Sequence, residues 1–362
     1  MMNSYKICVY AICKNEEQFV ERWVESMSEA DSIIVLDTGS TDNTVNKLKE
    51  LGVKVYKETF NPWRFDVARN KSLDLVPEDI DICVCTDLDE VFEKGWREKI
   101  ENAWKKNTQQ LRYRYTWNFD EDGNEGYVFL YEKIHARHGF KWVHPVHEVL
   151  NYYGDKQYIV DTESKIQLNH YPEKTKSRAQ YLGLLELSVQ EDPNDDRNLH
   201  YLGREYMYMG MWDKCISTLL KHLELPTALW KAERSASMRY IAKSYMEKGD
   251  INKSKEWFTK AILEEPNVRE PYVNMANLLY VLQEWSGVLY MVECALKIED
   301  RPLSYINEPG SWGSEPYDLA SIACFNLELY KKAYYYITRA VEISPSNKRL
   351  KNNLDLIKNF IQ

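Results

Sequence analysis

Short apolar runs alternate with amphipathic stretches along the first hundred residues. Lys6 to Ile12 (KICVYAI) leads into helical periodicity from Glu16 to Met27, and Ser32 to Leu36 (SIIVL) into Thr44 to Leu51. Val53 to Tyr56 is followed by a helical stretch from Val67 to Leu75, and Ile80 to Thr86 (IDICVCT) is a fourth strand-like run. Strand and helix in strict turn predict a parallel α/β sheet with its ligand sites at the carboxyl ends of the strands. After about residue 110 the grammar changes. Arg112 to Phe119 and Gly126 to Ile134 flank Asp122-Gly123, a hairpin signal, and a mixed sheet is expected to about Tyr171.

From about Lys174 the pattern is helical and repetitive. The segment YLGREYMYMG (201–210) aligns with YIAKSYMEKG (240–249) at an offset of 39, and Ala261, Ala295 and Ala340 take equivalent seats at offsets of 34 and 45. Pro266 and Pro345 each close a unit, and Asn307 to Pro316 is an insertion. Small residues at helix contacts, a closing Pro and the 34-residue offset resemble tetratricopeptide repeats. A helical bundle that only packs is the alternative. The expected division is an α/β domain over 1–175 and an all-α repeat domain over 176–362.

Composition narrows the function classes. With 362 residues, 44% hydrophobic and 28% charged, the chain suits two globular domains and not a disordered one. A net charge of −9 lacks the broad cationic face that phosphate backbones need, so nucleic acid is a disfavoured partner. No apolar run approaches the roughly 20 residues that span a bilayer. The opening residues have no basic stretch leading into an apolar one, so no signal peptide is expected. Seven scattered Cys form no Cys-x-x-Cys pair, and Cys83 and Cys85 alternate in a strand as packing residues do. A reduced, cytoplasmic protein is expected.

Four segments carry candidate chemistry. Thr86-Asp87-Leu88-Asp89-Glu90 follows the fourth strand, where two carboxylates one residue apart can share a divalent cation that neutralises a diphosphate. Asp37 ends the second strand in LDTGSTDNT, where a carboxylate facing a cleft can accept a base N–H; Ser40 and Asp42 read as caps of the next helix. Cys13-Lys14-Asn15-Glu16-Glu17 is a polar turn after the first strand. Phe65-Asp66-Val67-Ala68-Arg69-Asn70 opens a helix, with Arg69 either a diphosphate or ribose contact or a surface ion pair.

Together YAICKNEE, IIVLDTGSTDNT, FDVARN and CTDLDE resemble inverting glycosyltransferases of family 2, with the GT-A fold, over about residues 5–175. With the repeats attached, the chain is similar to the subgroup that includes peptide S-/O-glycosyltransferases of glycosylated bacteriocins. The resemblance implies a UDP-sugar donor and a divalent metal, Mn²⁺ or Mg²⁺. By position it implies that Ala11, Glu16 and Asp37 hold the nucleoside, that Arg69 and Asp87 lie by the ribose or diphosphate, and that Asp89 binds metal, with Asp87 beside it. Tyr10-Ala11 stands where the family frequently has Thr.

Five of the seven His fall between 135 and 170. The segment FKWVHPVHE (140–148) resembles the family's acceptor-side motif, and an inverting transfer needs a base for the acceptor proton. Glu148 is the first choice, with His147 orienting the acceptor or serving as base itself. His144-x-x-His147 lacks further ligands at zinc spacing. His135 and His138 read as packed core histidines. The resemblance implies that a late His, here His170, completes the metal shell, and imidazole suits Mn²⁺; a structural role is the other reading. Trp63 and Trp142 stack on sugar or peptide, or pack in the core.

Two functions of different class follow. One is a metal-dependent glycosyltransferase moving a sugar from UDP to a peptide, protein, glycan or other nucleophilic acceptor, its repeats holding the acceptor or a second copy of the chain. The other is an inactive scaffold that binds a protein through its repeats.

Overall fold

The computed structural model describes residues 5–173 and 181–361. It divides into two compact units, Met1–Asn118 with Val128–Leu184, and Phe119–Tyr127 with Leu185–Gln362.

The first unit is built on strands β1 (Ile7–Cys13), β2 (Ser32–Asp37), β3 (Lys54–Lys57), β4 (Ile82–Cys85), β5 (Glu90–Phe92), β6 (Gln110–Thr116), β7 (Val128–Ala136), β8 (Phe140–Val143), β9 (Val149–Tyr152) and β10 (Val160–His170). Helices α1 (Val20–Met27), α2 (Thr44–Glu50), α3 (Phe65–Asp74) and α4 (Trp96–Ala103) connect them. Eight strands form one sheet in the order β3-β2-β1-β4-β7-β6-β10-β5. β1 to β4 are mutually parallel, and β7 joins antiparallel to β4.

β1 is buried at every position, which explains its unbroken apolar run: a central parallel strand is covered on both faces. From β1 the chain steps outward to β2 and β3, then returns to β4 on the other side. The resulting crevice at the carboxyl ends of β1 and β4 is where open α/β sheets take ligands. Trp23, Met27, Trp96 and Ile100 pack against β1 and β4 in the main core. All four cysteines of this unit are buried and free, and Cys83 and Cys85 sit in the packing on one face of β4.

β8 and β9 make a separate two-stranded hairpin with Val143 opposite Val149. Its five-residue loop, His144 to Glu148, carries two non-glycine residues in the left-handed region, His144 (φ 76°) and His147 (φ 52°). L side chains adopt that region at a cost, so surrounding contacts must hold the loop in this shape.

The second unit contains α6 (Asp196–Tyr208), α7 (Trp212–Glu224), α8 (Lys231–Glu247), α9 (Ile251–Glu264), α10 (Glu270–Val281), α11 (Trp285–Leu296), α12 (Pro309–Trp312), α13 (Glu315–Asn326), α14 (Tyr330–Ile343) and α15 (Lys348–Lys358). Helix α5 (Tyr181–Glu191) leads into it. The two aligned segments of the sequence are the first helices of successive pairs, α6 and α8. Ala261, Ala295 and Ala340 lie on the second helices α9, α11 and α14 and are fully buried, so the equivalent seats are helix contacts. The insertion contains the short helix α12.

Candidate active site

The turns after β1 and β2 are laced together. Asn15 N–H donates to Ser40 Oγ at 2.9 Å, Glu16 N–H to Thr44 Oγ1 at 2.8 Å, and Glu17 N–H to Asp42 Oδ2 at 3.2 Å. In return Asn15 Oδ1 accepts from Thr41 N–H at 2.7 Å, and Glu17 Oε2 accepts from Asn43 N–H at 2.9 Å. This corrects the capping role read for Ser40: its hydroxyl serves the neighbouring turn. Asp42 serves both, accepting from Thr44 N–H at 3.1 Å as well.

Asp37 ends β2 beside Cys13, its register partner on β1, and is nearly buried. Its carboxylate accepts from Ser40 N–H at 3.1 Å, in the turn that follows β2. Glu16 is also buried. Ala11 lies two residues below the end of β1, is 1% exposed, and its carbonyl accepts from Ser72 O–H at 3.0 Å.

Arg69 on α3 is 4% exposed, which replaces the surface ion-pair reading with a buried hub. Its Nη2 donates to Asp87 Oδ1 at 2.8 Å, its Nε to Glu148 Oε1 at 2.5 Å, and its Nη1 to Cys85 Sγ at 3.3 Å. The guanidinium also stands 5.2 Å from the Trp142 ring. One cation thus joins the carboxylate after β4 to the one that closes the β8–β9 loop. The neighbouring residues of FDVARN hold that loop in place. Asn70 exchanges two hydrogen bonds with the Trp142 backbone, at 2.8 and 2.9 Å, and Phe65 N–H donates to Pro145 O at 3.0 Å.

A second buried cation meets Asp87 from β7. Lys133 Nζ lies 3.2 Å from Asp87 Oδ2 and 3.9 Å from Glu90 Oε1. Burial pushes the Asp87 carboxyl up, but Arg69 and Lys133 outweigh it and hold the group below the ordinary carboxylate range. Burial raises Glu90, with Lys133 opposing. Glu90 in turn accepts from Tyr115 O–H at 2.9 Å and from Asp87 N–H at 2.8 Å, fixing the turn. Sequence reasoning missed Lys133; its signal is a lysine sharing one strand face with Tyr131 and His135, positions a core would fill.

Asp89 and His170 meet because β5 pairs antiparallel with β10, placing His170 opposite Glu90, and Tyr171 N–H returns to Asp89 O at 2.8 Å. His170 Nδ1 lies 2.8 Å from Trp117 O and Nε2 lies 3.1 Å from Asp89 Oδ2. A ring whose Nδ1–H is given to a carbonyl presents its Nε2 lone pair, the orientation that metal-binding imidazoles take. Burial lowers the ring's proton affinity, but the bond to Asp89 and its charge prevail, and the His170 pKa is raised. A carboxylate oxygen and an imidazole nitrogen competing for one proton fit a divalent cation of the Mn²⁺ class.

The other histidines separate by burial. His135 is sealed: Tyr10 O–H lies 2.8 Å from its Nε2, Trp142 Nε1–H donates to Tyr10 Oη at 3.0 Å, and Nδ1 lies 2.8 Å from Ala136 O. His138 is a correction. Its side chain is 66% exposed with Glu78 at 3.7 Å, because it lies beyond the end of β7. His144 and His147 join no three-ligand cluster among the described residues. Trp142 is core, whereas Trp63 packs edge-on to Phe60 and Phe65 beside the start of α3.

An α/β unit with paired carboxylates after its fourth strand, followed by helical repeats, defines the class. Residues 8–151 match the family model for Glycosyl transferase family 2, and residues 241–268 match that for the Tetratricopeptide repeat. The chain therefore carries a family 2 glycosyltransferase domain with tetratricopeptide repeat structure at its C-terminal side. It is 32% identical over 111 residues to an uncharacterized glycosyltransferase of Rickettsia bellii, covering 30% of this chain and 36% of that protein. It is 30% identical over 103 residues to the lipopolysaccharide core biosynthesis glycosyltransferase LpsC of Rhizobium meliloti, covering 28% and 37%. The matches thus span little more than a third of each relative. Among solved structures, MamA protein aligns with 45% of this chain and 81% of its own at 18% identity and a TM-score of 0.36.

Proposed function

We propose that the chain is a metal-dependent inverting glycosyltransferase that moves a sugar from a UDP-sugar to a nucleophile on a peptide or protein, which its repeats engage. The Asp89–His170 pair, 3.1 Å apart beside a twice-paired Asp87, carries this reading. Asp89 and His170 would hold Mn²⁺ or Mg²⁺, which when bound supplies positive charge at the leaving diphosphate.

The remaining roles belong to the chain. Asp37 accepts a base N–H at the end of β2, and the laced turns around Glu16 keep that end of the cleft rigid. Arg69 and Lys133 hold Asp87 ionised and fixed. Glu148 has one carboxylate oxygen on Arg69; the other takes the acceptor proton as the bond to the sugar forms, with His147 orienting the acceptor. A base so placed is worth about 10²–10⁴ in rate.

The test is UDP-sugar turnover by the full chain with Mn²⁺, with EDTA, and in Asp89→Ala. Mn²⁺-dependent release of UDP that is lost in both controls is expected. Equal turnover in all three overturns the metal assignment, and no turnover or UDP binding by the native chain favours the inactive scaffold.

A further inference from the structure

Three consecutive helices of the repeat unit bring ionisable side chains into its core. His200 on α6 and His222 on α7 are fully buried, and Glu233 on α8 is 4% exposed. Repeat cores are filled by apolar and small residues, and burying a carboxylate with two imidazoles is costly unless the arrangement satisfies them.

Here one hydroxyl organises both rings. Ser237, one helical turn after Glu233, has its Oγ 2.8 Å from His200 Nδ1 and 3.1 Å from His222 Nδ1. Each Nδ1 is thereby engaged, and the two Nε2 atoms are buried without a hydrogen bond. His222 Nε2 stands 3.4 Å from Glu233 Oε1. The other carboxylate oxygen, Oε2, accepts from Tyr305 O–H, which leaves Oε1 facing the rings. One ligand atom from each of His200, His222 and Glu233 lies within 4.8 Å of the other two.

We propose that His200 Nε2, His222 Nε2 and Glu233 Oε1 form a zinc site that ties α6, α7 and α8 together. The donor set is two imidazoles and a carboxylate, which suits Zn²⁺ and leaves a fourth position for water. Ligand atoms around tetrahedral zinc sit about 3.3 Å apart, so a modest contraction of the trio completes the site. The proton count closes as well. Each ring binds as its Nδ1–H tautomer, and the Ser237 oxygen has two lone pairs to accept both N–H groups. The neighbouring Arg239 does not claim the carboxylate, because it pairs with Glu308 at 2.6 Å.

The test uses the full chain carrying Asp89→Ala, which separates this site from the one in the glycosyltransferase domain. After chelator treatment, added Zn²⁺ should be retained at one equivalent per chain through gel filtration. Co²⁺ in its place should give the strong visible absorption of a four-coordinate ion. Adding His200→Gln should abolish both signals, and Ser237→Ala should weaken Zn²⁺ binding about 10- to 100-fold, as loss of a ring-orienting partner does. Failure of the chain to retain Zn²⁺, or retention undiminished by either added substitution, overturns the site. If His200→Gln does not fold, the Ser237→Ala affinity and the cobalt spectrum decide it.

Discussion

Glu148 illustrates how much one side chain's surroundings set its use. It shares the Arg69 guanidinium with Asp87, so it is positioned by the same cation that fixes the carboxylate after β4. Replacing it with Gln keeps a hydrogen-bond acceptor for Arg69 but removes the charge proposed to take the acceptor proton. Glu148→Gln should lower kcat for a hydroxyl acceptor by about 10²-fold or more with UDP-sugar affinity nearly unchanged, measured by initial rates and UDP titration. A thiol acceptor, closer to ionised at neutral pH, should lose less. Normal transfer to a hydroxyl would pass the role to His147. His135 supports a second prediction. Burial pushes its ring down to about 4, below the ordinary 6.5, so the folded chain holds it neutral while the unfolded chain protonates it. Its contribution is complete above pH 6.5 and is lost as pH falls toward 4. Between pH 7 and pH 5 this amounts to about 2 kcal/mol. Urea unfolding at those two pH values should show the native chain losing about 2 kcal/mol more than His135→Gln. Equal losses would mean that the buried ring does not set the acid limb.

At the scale of elements, the four alternating strands were legible because each is an apolar run bounded by turn residues, and because buried parallel strands need no alternation. Three-residue β5 was not, since Glu90-Val91-Phe92 is too short to show a period and reads as the tail of TDLDE. Its pairing with β10 is what carries His170 to Asp89, so the meeting of these two residues could be anticipated from resemblance but not from spacing. Lys133 escaped for a related reason: which face of β7 it takes depends on tertiary register with β4 and β6. In the repeats, the periodic small residues were readable and their close contacts can be tested. A Cβ at Gly203 on α6 would lie 2.3 Å from a methyl of Leu219, itself fully buried on α7. Overpacking costs about 1–3 kcal/mol, against which Ala gains about 1 kcal/mol of helix propensity. Gly203→Ala should therefore be destabilising by up to about 2 kcal/mol in thermal or urea unfolding. A stabilised variant would show that Leu219 has room to turn aside.

For the whole molecule, the division in space is not a single cut in the chain. Residues Phe119–Tyr127 between β6 and β7 group with the helices. Within that unit Ser346 N–H donates to Asp122 at 3.0 Å and Asn124 Nδ2 donates to Ile343 O at 3.2 Å. Arg301 Nη2 also donates to Gly126 O. The Asp122-Gly123 turn announced the hairpin correctly, yet no local pattern reveals which partners its tip will meet. A truncation after residue 175 keeps every residue proposed for the donor and metal, and it strips those partners from the tip. Such a fragment should bind UDP with Mn²⁺ and release UDP from the donor by hydrolysis, while transfer to a peptide acceptor falls below a tenth of the full chain's rate, about 1.4 kcal/mol or more in transition-state terms. Extending the β6–β7 connection with a short Gly-Ser linker in place of 120–126 should keep the fragment soluble if the bare tip alone causes aggregation. Equal transfer by a folded fragment and the full chain would show that the repeats do not engage the acceptor, and would move the search for the acceptor site into the first unit.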